Sequence, residues 1–193
     1  MISEVRFCNA CGHAVEQHVP EGDHRTRHVC PSCQHIQYFN PRVITGVIAH
    51  WQDRILMCKR AIAPRLGHWT FPAGFLELGE TSAIGAAREA VEEAAVDVEI
   101  EDLLAVICVP HVSQVYMIHR GQLRAPQHAS TPESSETRLM REDEIPWSDI
   151  AFPTIWHSLK FYFADRSAGV RSIHSLNLTW PVRADTSPVT KHL

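Results

Sequence analysis

No stretch of this sequence stays apolar long enough to cross a bilayer. The longest apolar runs, around positions 43–49 and 103–110, are strand-sized, whereas a spanning helix needs about 20 such residues. The opening MISEVRFCNACG has no basic segment followed by an apolar one, so no export signal is expected and the expected compartment is the cytoplasm. Positive charge is also scarce, with a formal net charge of −4. A broad grip on nucleic acid normally needs a basic face, so a nucleic-acid partner is not expected. A short polyphosphate is still compatible, because divalent cations can supply the charge locally. Internal repeats and low-complexity runs are absent as well. What remains, at 193 residues with 45% hydrophobic and 21% charged, reads as an ordinary globular protein with one good core and a small accessory module.

Cysteine is where the sequence becomes specific. Cys8-Asn-Ala-Cys11 and Cys30-Pro-Ser-Cys33 are two C-x-x-C pairs with 18 residues between them, the spacing of a four-cysteine zinc site. Two thiolates on a tight turn share one ion, and two such turns complete a tetrahedron. Gly12 and Pro31 suit those turns. The segment between the pairs is polar and has little to bury, so without metal it could hardly offset its chain entropy. Disulfides suit an exported chain better, and a redox role needs the pair to open a helix in a βαβ setting. The nearby His13, His18, His24, His28 and His35 are read as surface residues, and Cys58 and Cys108, inside apolar runs, as core. The module is assigned to residues 1–40, its boundary near Tyr38-Phe39-Asn40-Pro41.

Beyond it, residues 43–49 and 54–58 flank a Gln52-Asp53 turn and predict a hairpin. Short strands are expected at 69–71, 103–111, 114–120 and 137–140. Helices are expected over 82–94 and over 153–165, the second with Pro153 in its first turn. The result is an α/β (α+β) layered domain with a mixed sheet, assigned to residues 41–168, then a tail over 169–193 without clear pattern.

On the helix at 82–94, Ala83, Ala86, Ala87, Ala90, Val91 and Ala94 fall on one face. Glu89, Glu92 and Glu93, at i, i+3 and i+4, are expected to gather on the opposite side, with Arg88 pairing Glu92 four residues on. Clustered acids repel, and a hard divalent cation such as Mg²⁺, which prefers oxygen ligands, converts that repulsion into binding. Glu80 can return to the same place if the loop from Gly74 folds over the helix start, a path that Gly74 and Gly79 permit.

The full spacing is Gly74, five residues, Glu80, seven residues, Arg88-Glu89, then Glu92-Glu93. It resembles the Nudix box, and residues 67–74 resemble the strand that leads into that box. One position departs: Ala95 stands where the box has its second glycine, so alanine there should cost about 1 kcal/mol in a left-handed cap or force a different helix end. The resemblance covers about residues 42–166 and implies an α/β/α sandwich that hydrolyses a nucleoside diphosphate linked to a further moiety. It also implies Mg²⁺ (or Mn²⁺) ligands at Gly74, Glu89, Glu92 and Glu93, an orienting role for Arg88, and a supporting ligand or base at Glu80. Family members place the general base either in the box or in a later loop, and here the later candidates are Glu133 and Glu136.

The ribbon-bearing members include NADH pyrophosphatases and a group associated with ADP-ribose and FAD. The first carry a Ser-Gln-Pro-Trp-Pro-Phe-Pro type run after the box, and none follows residue 96 here. Residues 132–139, 143–147 and 151–152 resemble the second group. The expected substrate is therefore an ADP-X nucleotide, ADP-ribose or FAD before others, giving AMP. NADH or NAD cleavage, removal of an NAD cap from RNA, and ligand sensing without turnover stay open. Phe71, Tyr116, Phe39 and Trp69 are candidates for stacking on a base or for the core. Many relatives are dimers, so a homodimer is compatible with the resemblance.

Overall fold

The computed structural model describes residues 5–179 and 189–190. The chain divides into two units, one ending at Pro41 and the other beginning at Arg42.

In the first unit, strands β1 (Glu16–His18), β2 (Arg27–Val29) and β3 (Ile36–Gln37) form an antiparallel sheet in that order. Asp23 shapes the β1–β2 turn. Its carboxylate accepts from the backbone N–H groups of His24 and Arg25 at 2.7 and 3.1 Å and from Arg27 Nε at 2.8 Å. Among this unit's described residues only Cys8, Pro20, Val29, Cys30 and Gln37 are buried. The cysteine cluster therefore stands where a larger domain has an apolar core.

The second unit is built on one mixed sheet. In chain order its elements are β4 (Arg42–Trp51), β5 (Arg54–Arg60), β6 (Trp69–Thr70), β7 (Ala73–Phe75), α1 (Ser82–Ala94), β8 (Val98–Val109), β9 (Gln114–Leu123), β10 (Ser134–Met140), α2 (Pro153–Ala168), β11 (His174–Asn177) and β12 (Val189–Thr190). The strand order is β10-β5-β4-β9-β8-β11-β12, with β6 on β5 and β7 on β4. The β4–β9 and β11–β8 pairs are parallel. Because side chains alternate along a strand, each strand feeds two layers. Val47, Ala49, Leu56 and Cys58 pack with Ala86, Ala90 and Ala94 of α1. Ile48, Ile55 and Met57 pack with Ile155, Leu159 and Phe163 of α2. The result is the expected α/β/α sandwich.

The stretch after Ser167, which shows no pattern in the sequence, is not structureless. Helix α2 ends at Gly169 in the left-handed region, and β11 then joins the main sheet beside β8. Asp165 fastens the return. Its carboxylate accepts from Ser172 N at 3.1 Å, meets His174 Nε2 at 3.0 Å and pairs with buried Arg120. Arg120 also donates to Asp102 at 2.9 Å. A four-residue strand is too short to announce itself by alternation, and its anchors lie far away in sequence. Residues 180–188 and 191–193 of the expected tail lie outside the described residues.

Candidate active site

In the ribbon unit the two cysteine turns are built alike. Gly12 N donates to Cys8 O and Gln34 N to Cys30 O, both at 2.9 Å. Gly12 and Gln34, each four residues after a first cysteine, both take positive φ, +76° and +60°. The four Sγ atoms lie within 4.8 Å of one another, with Cys8–Cys33 at 3.7 Å and Cys11–Cys30 at 3.4 Å. A zinc tetrahedron with bonds of about 2.3 Å has edges of roughly 3.8 Å, so the set fits Zn²⁺. The Cys30 thiol is drawn down to about 6, first by the backbone N–H of Cys33.

The second cluster grows from α1. Thr81 caps the helix, its Oγ1 accepting from Ile84 N at 3.2 Å. Thr45 Oγ1 donates to Ser82 O at 2.6 Å and His119 Nε2 meets Ser82 Oγ at 3.1 Å, so the sheet grips the first turn. At the other end Ala95 takes φ 55°, ψ 38°. Alanine thus occupies the left-handed cap that glycine fills in the box, and the helix still ends on schedule.

Arg88 organises the acids. Its Nε donates to Glu80 Oε1 at 2.8 Å and Nη2 to Glu80 Oε2 at 3.1 Å. Nη1 reaches Glu89 Oε1 and Glu92 Oε2, each at 2.8 Å, and Nη2 reaches Phe75 O at 3.0 Å. All five donors are thereby used. The charge pairing raises the guanidinium's pKa, Glu80 contributing most, and lowers that of Glu80 in return.

The acids do not all lie opposite the apolar face, as the helix pattern predicts. The buried stripe runs Gly85, Ala86, Glu89, Ala90, Glu93, Ala94, while Val91 and Glu92 face outward. Burial pushes Glu89 upward, and it pushes Glu93 to about 8, with the neighbouring Glu89 charge adding to it. A Cβ on Gly74 would lie 2.3–2.4 Å from the Glu89 carboxylate, so that backbone approaches the acid as only glycine can. Among the described residues only the four cysteines bring three or more ligand atoms within 4.8 Å of one another. Arg88 Nη1 draws Glu89 and Glu92 together, and Glu93 makes no bond to it. Two buried carboxylates beside the half-buried Gly74 backbone are nonetheless a hard-oxygen donor set that suits Mg²⁺ or Mn²⁺.

The two loop candidates part company. Ala129 N donates to Ala94 O at 3.0 Å and Thr131 Oγ1 to Glu93 O at 3.2 Å, which ties the loop to the end of α1. Within this loop the charge of Glu133 bears on both Glu89 and Glu93. Glu136 instead lies in β10, held by Arg138 and, at 3.9 Å, by Lys59. Phe71 is fully buried in the core, so it offers no face to a base, and Trp69 is buried with it. Tyr116 stays half-exposed, its hydroxyl 3.1 Å from Gln114 Oε1. Phe39 belongs to the ribbon unit, where its ring meets that of His28 edge-on at 5.7 Å. Sequence reasoning missed Thr131, whose hydroxyl ties the loop to α1. Single polar residues beside a site carry no spacing signal.

Two family models match the chain, Nudix N-terminal over residues 6–39 and NUDIX domain over residues 40–160. The crystal structure of a NUDIX hydrolase from Nitrosomonas europaea is 48% identical with a TM-score of 0.87, covering 90% of this chain and 98% of that one. An ADP-ribose pyrophosphatase of Methanocaldococcus jannaschii is 31% identical over 105 residues, 50% of this chain and 62% of that protein. The NAD-capped RNA hydrolase NudC of Edwardsiella ictaluri is 35% identical over 95 residues, 49% of this chain and 35% of that protein. The chain thus spans less than two thirds of either curated relative. With both family models matched in order along it, and with the box helix folded as described, the chain belongs to the Nudix family and is a Nudix hydrolase.

Proposed function

We propose that this protein is a Mg²⁺- or Mn²⁺-dependent pyrophosphohydrolase that cleaves the diphosphate of an ADP-X nucleotide, ADP-ribose or FAD, to AMP and phosphorylated X. The observation that carries this reading is the pair of buried acids, Glu89 and Glu93, set between the Gly74 backbone and the anchored loop of Glu133. Glu89, Glu93, the Gly74 carbonyl and Glu92 would hold the divalent cation, which when bound neutralises charge on the bridging phosphates. Arg88 orients Glu89 and Glu92, and Glu80 locks Arg88. Glu133 serves better than Glu136 as general base, since Glu136 is already ion-paired. A water oxygen bonds to phosphorus as its proton passes to Glu133. The bridging P–O bond breaks, and its electrons stay on the departing phosphate.

The test is AMP release with Mg²⁺ from ADP-ribose, FAD, NADH, NAD and diadenosine polyphosphates. Release from ADP-ribose or FAD is the expected result. Silence on every compound overturns the reading.

A second reading has specific support in the NudC relatives, whose name specifies an NAD-capped RNA. The net charge argues against a broad nucleic-acid grip but leaves room for one capped end. An NAD-capped oligonucleotide in the same panel decides it, and preferential cleavage there would displace ADP-ribose and FAD.

A further inference from the structure

Arg60 ends strand β5, paired across the sheet with Ser134 of β10. Its backbone is fixed on both sides, with Arg60 N donating to His68 O and Gly67 N to Arg60 O, both at 2.9 Å. The next residue, Ala61, donates its N–H to Glu133 O at 2.8 Å, so Arg60 is coupled to the loop of the candidate base. The side chain is half-buried. Its Nε donates to Pro64 O at 2.8 Å and its guanidinium carbon lies 5.3 Å from the centre of the Phe152 ring.

Its two terminal nitrogens distinguish it. Arg54, Arg120 and Arg138 of the same sheet each hold a carboxylate. Among the described residues none lies within ion-pair distance of Arg60. Across the sheet it stands opposite Ser134, one residue from Glu133, whose loop is tied to the end of α1. A preoriented guanidinium with its fork open suits a phosphate oxygen.

We propose that Arg60 is a substrate-binding residue of this site, its guanidinium braced on Phe152 and taking a phosphate oxygen of the diphosphate substrate. This rests on the pyrophosphohydrolase reading and narrows it to one side chain. The alternative is that Arg60 only props the 61–68 loop through Pro64.

The test compares wild type with Arg60→Met, which keeps the apolar stem over Phe152, and with Arg60→Lys, which keeps the charge. Binding of AMP and of ribose 5-phosphate is measured separately by calorimetry in magnesium-free buffer, alongside KM and kcat on ADP-ribose and the melting temperature. Arg60→Met should weaken one probe by about tenfold or more, the loss expected for a charge-assisted hydrogen bond. It should raise KM more than it lowers kcat, and Arg60→Lys should recover part of both. Whichever probe suffers identifies the phosphate held. Unchanged binding of both probes, a wild type that binds neither, or a lowered melting temperature with normal binding overturns the proposal. A wild type that binds a probe in an Arg60-dependent way yet hydrolyses no ADP-ribose defeats the substrate reading and leaves the Arg60 anion site standing.

Discussion

The two units keep their shape by opposite means. The ribbon buries five of its described residues, two of them cysteines, and depends on an ion for what a core would do. The catalytic unit fills both faces of its sheet and can tolerate carboxylates inside one layer, at Glu89 and Glu93. A cysteine cluster stands in for a core in the first unit, and in the second a core holds two carboxylates inward.

Zinc removal should break the contrast most severely. A structural zinc contributes roughly 10–16 kcal/mol to folding, so chelation or Cys30→Ser should expose residues 5–41 to protease while amide protection persists in β4, β8 and β9. Retained protection in the ribbon would show that it needs no ion. Next comes the polar lock behind β11. Asp165→Ala takes the buried carboxylate from Arg120, which is 4% exposed and keeps only Asp102 as an anionic partner, and should cost about 2–3 kcal/mol in denaturant unfolding. A loss below about 1 kcal/mol would mean that the strand is held by apolar contacts alone.

Two smaller changes compare the units at their strained positions. Ala95→Gly relieves a left-handed alanine and should gain about 1 kcal/mol, a rise of roughly 2–4 °C in Tm. Gln34→Gly in the ribbon should gain less, because it also removes the Gln34 Nε2 to Pro31 O bond of 3.0 Å. A fall in Tm for Ala95→Gly would contradict the cap assignment.

These differences also explain what the sequence could reveal. Helix α1 is legible at both ends, since the apolar period, the acid spacing and the cap at Ala95 are all local. The cysteine turns are legible for the same reason. Phe71 is not legible from the sequence, because it follows the two-residue strand β6 and is buried together with Trp69 and Thr70, which leaves no alternation to read. The inward turn of Glu89 and Glu93 was hidden too. Small alanines let acids share the buried stripe, which a polarity pattern cannot foresee. Strand β11, Thr131 and Arg60 depend on partners distant in sequence.

In the proposed hydrolysis the buried Glu93 of α1 is indispensable, whereas Glu136, ion-paired on β10, is not. AMP release from ADP-ribose with Mg²⁺ by Glu93→Gln and Glu136→Gln tests it most directly. Glu93→Gln should lose about 10²-fold or more with its melting temperature held, and Glu136→Gln should stay within about threefold of wild type. Near-normal turnover by Glu93→Gln would contradict it.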